Sequence, residues 1–394
     1  MCEMDKGQMR KPQPRQHHYV PVTYLSRFAD KDTLCVFDLG KKKEFRASTS
    51  NILKIRNFYA IDLPDNRESF VLETDLFGQI EAKSKPVLDE YLRTMVGPRG
   101  SDWEQLCKFV ASLEVRTVGL RQTHWEMAQY FNDLIAWSVL SKSDWFEHAL
   151  ELAAIPDAAL KEEALVNPHG LESPGLSLQK PQRDFVRHLQ ALNSEGELTY
   201  ERAKVLYESS GYAAKVPQND SLRLMVKLLP QMTAILQSMT PVLLMAPGQC
   251  RFVTSDDPLV RANPSHQHHF SNGLGLLCKG IEVYVPLSPL SCLMFKHGGQ
   301  PEALAIGDDY VSYLNTLQGI YCYRFVVSRD SRLGWRTKSG KVSFDSAAFV
   351  AELSQCKPRK TMEMSGGPVP KKSHTFNLGM VRRDGGGDAG CKSD

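Results

Sequence analysis

Apolar residues fall into three successive patterns along the chain. Up to about residue 62 they come in short runs between polar turns: Leu34, Val36 and Phe37, then GKKKE at 40–44, then Phe45. That is a hairpin pattern, and residues 52–61, ending near Phe58 and Tyr59, read as a further strand. Ahead of them stands QHHYVPVTYLSRF at 16–28. Pro21 lacks an N–H and disfavours helix at Val20. His17 to Val20 is therefore expected to be extended, with His17 and His18 on opposite sides. Tyr24, Leu25 and Phe28 then share one side of a short helix that anchors the histidines.

From Ser69 the period lengthens. Leu72, Leu76, Ile80, Val87, Leu88 and Tyr91 recur at helical spacing, with Pro86 expected to kink or break the helix. Residues 103–120 and 122–152 read as two more helices. The stretch 158–211 continues helically, interrupted at Asn167-Pro168 and Ser173-Pro174-Gly175, and 222–239 is another helix with Pro230 inside. At Pro241 short apolar runs return. Residues 242–246, the turn PGQC and 251–255 predict a hairpin ending in Asp256, Asp257 and Pro258. Two strands at 281–286 and 292–296 flank SPL, a short helix follows at 308–318, and 321–328 is a last strand. The expected fold is α+β: a small N-terminal β-rich cap (16–62), a mostly helical middle (69–240), and a C-terminal antiparallel or mixed sheet with one helix (241–330). Together these form a single domain over 16–330. Residues 1–15 are expected to be flexible, 331–355 to be an extension, and 356–394, rich in Lys, Pro, Gly and Ser, to be a disordered basic tail.

Composition narrows the class only a little. The 394 residues are 42% hydrophobic and 24% charged, with a net charge of +3, as in ordinary globular proteins. The charge is uneven: residues 354–394 hold eight Lys/Arg against four Asp/Glu, so the rest of the chain carries −1. A basic tail on a near-neutral body points to a polyanionic partner such as nucleic acid. The nine cysteines are odd in number, dispersed and without C-x-x-C, against both a disulfide framework and a zinc–cysteine site. The N-terminus is too polar for a signal peptide. The uncharged stretch 228–250 contains three prolines and reads as core, not membrane span. Cytoplasm, and no membrane partner, is the expectation.

The order of certain pieces carries a resemblance. HHYVPVTYLSRF is followed by LCVFD and NFYAID, then by ETDLFGQIE and FVASLEVRT on helices. FVTSDDPLV, EVYVPLSPLSCLMF and YLNTLQ complete the series. Over about residues 16–330 the chain resembles the mostly microbial domain-of-unknown-function family 4238. The resemblance implies an architecture and no cofactor. Family-like positions are His18, Pro21, Asp38, Tyr59, Glu73, Glu81, Arg116, Asp256, Pro258 and Pro286. Asp257 departs from the pattern, standing where an Asn is expected.

Candidate chemistry follows from residue type. His, Glu and Asp together are the side chains that bind a divalent metal and activate water. One reading is therefore a metal-dependent hydrolase of phosphodiesters, nuclease-like. His17 or His18 would act as ligand or base, with His18, Glu73 and Asp256 as metal ligands. Arg116 would clamp phosphate, and Glu81 would sit beside Glu73 across one helix face. The other reading is a non-catalytic ligand- or protein-binding module in which His18, Glu73, Arg116 and Asp256 form a structural polar network. Arg116 lies among Val110, Leu113 and Val118 and calls for a carboxylate, which Glu73 or Glu81 would supply. His266, His268 and His269 are a further candidate metal-binding loop. No G-x-S-x-G elbow, phosphate loop or strand-linked G-x-G-x-x-G is present. Both readings require the two remote stretches, 16–28 and 252–260, to converge.

Overall fold

The strand Thr33–Asp38 is buried from Leu34 onward, and its alternate residues serve two cores. Leu34 and Val36 join one cluster, Cys35 and Phe37 another. A strand buried on both faces needs a near-continuous apolar run, and LCVF supplies it. It pairs antiparallel with Lys43–Ser48 on one side and Phe325–Ser328 on the other, and the latter pairs with the short strand Thr254–Ser255. The N-terminal hairpin is thus half of a four-stranded sheet completed from the C-terminal third. The protein is described from a computed structural model, in residues 15–64, 67–155, 179–194, 196–210, 216–263 and 275–355.

A second, five-stranded sheet has the order Glu302–Ala305, Thr240–Met245, Ser291–Lys296, Glu282–Ser288, Val260–Ala262. Its pairs are antiparallel except Glu302–Ala305 with Thr240–Met245, so the sheet is mixed. Here too odd and even residues part company. Leu243, Val283, Val285, Leu293 and Phe295 face the large core shared with helices Gly100–Val115 and Gln218–Gln237. Val242, Leu244, Tyr284, Cys292 and Met294 face Val311, Leu314 and Leu317 of helix Asp308–Tyr321. The fold is α+β.

The chain divides into two compact units. The first holds the residues up to Gln122 and resumes at Pro217; the second runs from Thr123 to Val216. Helix Val118–Leu140 begins in the first unit and continues in the second. Within the second unit, helices Ser143–Ala154, Gln179–Leu192 and Tyr200–Ser210 share a core of Phe146, Phe185, Val186, Leu189 and Ala203. The expected breaks at 167–168 and 173–175, the histidine loop at 266–269, the N-terminal arm 1–14 and the basic tail lie outside the described residues.

Several local expectations are corrected. Of the expected kink or break at Pro86, the break does not occur, and helix Gly78–Thr94 runs through the proline. It sits on the exposed side, as does Ala82, whose carbonyl loses a partner there and can turn to water. Upstream, Leu72–Phe77 is a π-helix, not α. The strand expected over 52–61 is two pieces, Lys54–Arg56 and Ile61–Asp62, parted at Asn57, which adopts φ 56°. The two helices expected over 103–152 are three, Gly100–Val115, Val118–Leu140 and Ser143–Ala154.

The hairpin expected over 242–255 does not form: Thr240–Met245 and Thr254–Ser255 belong to different sheets. Side chains of helix Asp308–Tyr321 capture the intervening backbone. Asp308 accepts the N–H groups of Gln249 and Cys250 (3.1 and 2.9 Å), and Asn315 accepts that of Val253 (3.0 Å) while donating to the Arg251 carbonyl (2.8 Å). Gln318 donates to the Pro258 carbonyl at 2.8 Å. These bonds satisfy backbone groups that a hairpin ladder would have used.

Candidate functional site

Helix Gly100–Val115 buries Phe109, Val110, Ala111, Leu113 and Val115, so its C-cap, Arg116, emerges inside the core. Arg116 is 1% exposed. A buried guanidinium requires acceptors for its fork of donors and a counter-charge. Both are present. Nη1 donates to Glu81 Oε1 at 2.6 Å, Nη2 to the His18 carbonyl at 2.7 Å, and Nε to the Tyr59 hydroxyl at 3.3 Å. Glu73 Oε2 stands 3.8 Å from Nη2. The guanidinium plane lies over the Phe77 ring at 4.4 Å, and the Tyr59 hydroxyl donates back to the Arg116 carbonyl at 3.2 Å. Burial works against the charge, but Tyr59, Glu81 and Glu73 outweigh it and hold Arg116 above its ordinary pKa. Arg116 is a fixed cation.

The N-terminal stretch wraps this cation. Strand Gln16–His18 pairs antiparallel with Lys54–Arg56, which buries His17 and leaves His18 partly exposed. The Tyr59 N–H donates to His17 Nδ1 at 2.7 Å, so the proton of the neutral ring sits on Nε2. The His17 ring also stacks on Tyr59, with centroids 5.6 Å apart. His18 Nε2 donates to the Ser50 carbonyl at 3.2 Å. Burial, with Lys54 and Arg116 adding to it, lowers the His18 pKa below the usual histidine value, so the ring is neutral at pH 7. Thr23, two residues after Pro21, donates to Glu81 Oε2 at 3.1 Å.

Glu73 is the member under strain. It lies in the π-helix, and among the described residues its buried Oε2 accepts no hydrogen bond. Burial raises its carboxyl pKa; the Arg116 charge opposes this and Glu81 adds to it. A carboxyl raised in the folded state contributes stability below its unfolded pKa and loses that contribution as pH rises through the folded value. Glu73→Gln is therefore expected to melt at or above the wild-type temperature at pH 7–8. The advantage should close as pH falls below the ordinary value of 4.5. Thermal melts across pH 4–8 check this, and a variant uniformly less stable at pH 8 contradicts it.

Asp256 stands in a separate cluster. It is fully buried, and its carboxylate accepts three backbone N–H groups: Tyr323 on Oδ1 at 2.8 Å, Arg324 and Phe325 on Oδ2 at 2.8 and 2.9 Å. Arg324 in turn grips Asp38 through Nε and Nη2 at 2.9 and 2.6 Å. The two remote stretches do meet, through Tyr24 and Thr254. The Tyr24 hydroxyl donates to the Pro286 carbonyl at 2.6 Å and lies 2.8 Å from Thr254 Oγ1.

The structure thus brings together Glu73, Glu81, Arg116, the backbone of His18 and, through Tyr59, His17. The trio expected to hold a metal, His18, Glu73 and Asp256, is not assembled as one. Among the described residues no group of three or more His, Cys, Asp or Glu side chains is placed to hold a cation. For Asp256 the physical reason is prior engagement, since its carboxylate already accepts three backbone N–H groups. Nor is Arg116 placed as a phosphate clamp, since Glu81 and the His18 carbonyl occupy its fork. A cavity beside Glu81, lined by Thr23, Arg27, Ser84, Lys85, Leu88 and Phe109, measures about 10 Å³, the space of about one water. Sequence reasoning missed Thr23 as a partner of Glu81, and Asn315 and Gln318 as backbone anchors. The last two carried a signal: polar amides three residues apart beside the buried Leu314 and Leu317.

Fold and site define an α+β protein organised around an arginine held by Glu81, Tyr59 and the His18 carbonyl. A family model described as protein of unknown function (DUF4238) matches residues 16–332, and the chain belongs to that family. No curated protein and no solved structure matches it. Among the described residues no helix is long and apolar enough to cross a membrane.

Proposed function

We propose that this protein is a non-catalytic binding module, and that the Arg116 cluster is its internal lock, not its working centre. One observation carries the reading: Arg116 and Asp256, the fully buried charges of the candidate set, are already bonded within the fold. Arg116 is enclosed by Glu81, Tyr59 and the His18 carbonyl, and Asp256 by three backbone donors. A general base or metal ligand needs a lone pair aimed at open space, and the cavity at Glu81 admits about one water. The network also ties distant parts of one unit together. Residues 18, 59, 73, 81 and 116 come from strand, turn, π-helix and two helix ends. A buried guanidinium satisfied in this way favours one arrangement of the elements that supply its acceptors.

The competing reading, hydrolysis of phosphodiesters with a divalent metal, is tested directly. Full-length protein incubated with single- and double-stranded DNA and RNA in Mg²⁺ or Mn²⁺ is expected to cleave no faster than the EDTA control. Cleavage that EDTA abolishes and that His18→Ala or Glu73→Gln removes, with the fold retained, would overturn the proposal.

A further inference from the structure

Four arginines of the first unit are each held by a carboxylate. Arg27 meets Asp89 at 2.6 Å, Arg116 meets Glu81 at 2.6 Å, Arg324 meets Asp38 at 2.6 Å, and Arg261 meets Glu114. Arg121, in the first turns of helix Val118–Leu140, meets no carboxylate within ion-pair distance among the described residues. It is nevertheless held in place. Its guanidinium carbon lies over the Phe58 ring, 3.5 Å from the centroid, and Nη2 donates to the Phe58 carbonyl. Nε and Nη1 make no hydrogen bond among the described residues. Phe58 is itself 1% exposed and is fixed by Tyr19 and Tyr59. The aromatic platform does not move, so the orientation of the fork is set in advance.

A guanidinium keeps its charge at any physiological pH, and taking it out of water without a counter-ion is costly. Burial pulls Arg121 down to about 10, with only the Tyr59 hydroxyl acting against it. An oriented cation that is partly desolvated, and stacked on an aromatic face with donors to spare, has the features used to bind planar or tetrahedral oxyanions. Glu73 and Glu81 are turned to Arg116. We propose that Arg121 on its Phe58 platform is a binding site for an oxyanion group, carboxylate or phosphate, carried by a ligand or partner of this protein. The proposal goes beyond the binding-module reading and does not depend on the Arg116 lock. An anion site could be absent with the lock intact, or present with the lock disproved.

The experiment uses the full chain and simple anions. Melting temperature is followed in increasing sodium phosphate or sodium acetate, each against sodium chloride at equal ionic strength, for wild type, Arg121→Gln and Arg121→Lys. In wild type at least one oxyanion should raise the melting temperature saturably above chloride, and which one does so separates phosphate from carboxylate. Arg121→Gln should lose the saturable part and keep only the general salting effect of phosphate. Arg121→Lys keeps the charge without the planar fork and should need about tenfold more anion for half its effect. It also serves as the folded comparator should Arg121→Gln not fold. A wild type that responds no more than in chloride overturns the site, as does an equal response in wild type and the folded variants.

Discussion

Replacing Arg116 by Met should lower the melting temperature by on the order of 10 °C. The substitution roughly keeps side-chain volume but leaves Glu81 and Glu73 facing each other without the cation between them. Breaking a buried pair by removing one partner costs about 3–5 kcal/mol, mostly from the charge left behind. For a folded unit of this size, each kcal/mol is worth roughly 2–4 °C. The His18 carbonyl and the Tyr59 hydroxyl lose donors as well. Arg116→Lys should recover only part of the loss, because one ammonium cannot reach Glu81, the His18 carbonyl and Tyr59 together. Thermal melts of the three proteins check this; a Met variant as stable as wild type would contradict it.

Removing the Asp256 carboxylate should be comparably damaging. Asp256→Ala strands the N–H groups of Tyr323, Arg324 and Phe325, which enter the strand Phe325–Ser328 at the centre of the four-stranded sheet. An unsatisfied buried donor costs about 1–3 kcal/mol, and more is at stake where the acceptor is charged. The three are not independent, so a total on the order of 4 kcal/mol is expected. Asp256→Asn keeps one acceptor oxygen and should fall between Ala and wild type. Denaturant unfolding followed by fluorescence reads the loss. Had Asp256 been a metal ligand, Asn and Ala would instead leave stability near wild type and change metal binding.

Much of this was legible in the residues. The apolar run LCVF, the paired strands either side of SPL and the helix beginning at Asp308 stand where periodicity puts them, because each is local. So was the demand of Arg116 for a carboxylate, since an arginine between Val110 and Val118 has few other options. The failures share a cause: bonds between side chains and distant backbone. Nothing near residues 242–255 announces that Asp308, Asn315 and Gln318 will take the backbone and send Thr254–Ser255 to another sheet. The same holds for Asp256, whose partners are backbone N–H groups with no residue-type signature. Two acids before a proline looked like chemistry, and the first of them is a clamp on the chain. The π-helix at Leu72–Phe77 has no periodic signal either, yet it sets Glu73 beside Arg116 without a hydrogen bond.

The most direct measurement is a double-mutant cycle on the 2.6 Å pair Arg116–Glu81. Unfolding free energies of wild type, Arg116→Met, Glu81→Gln and the double variant give the coupling between them. A structural lock predicts that each single change is strongly destabilising and that the double variant loses clearly less than their sum, by about 1–3 kcal/mol. Additive effects within about 0.5 kcal/mol, with both single variants near wild-type stability, would mean that these residues hold nothing together.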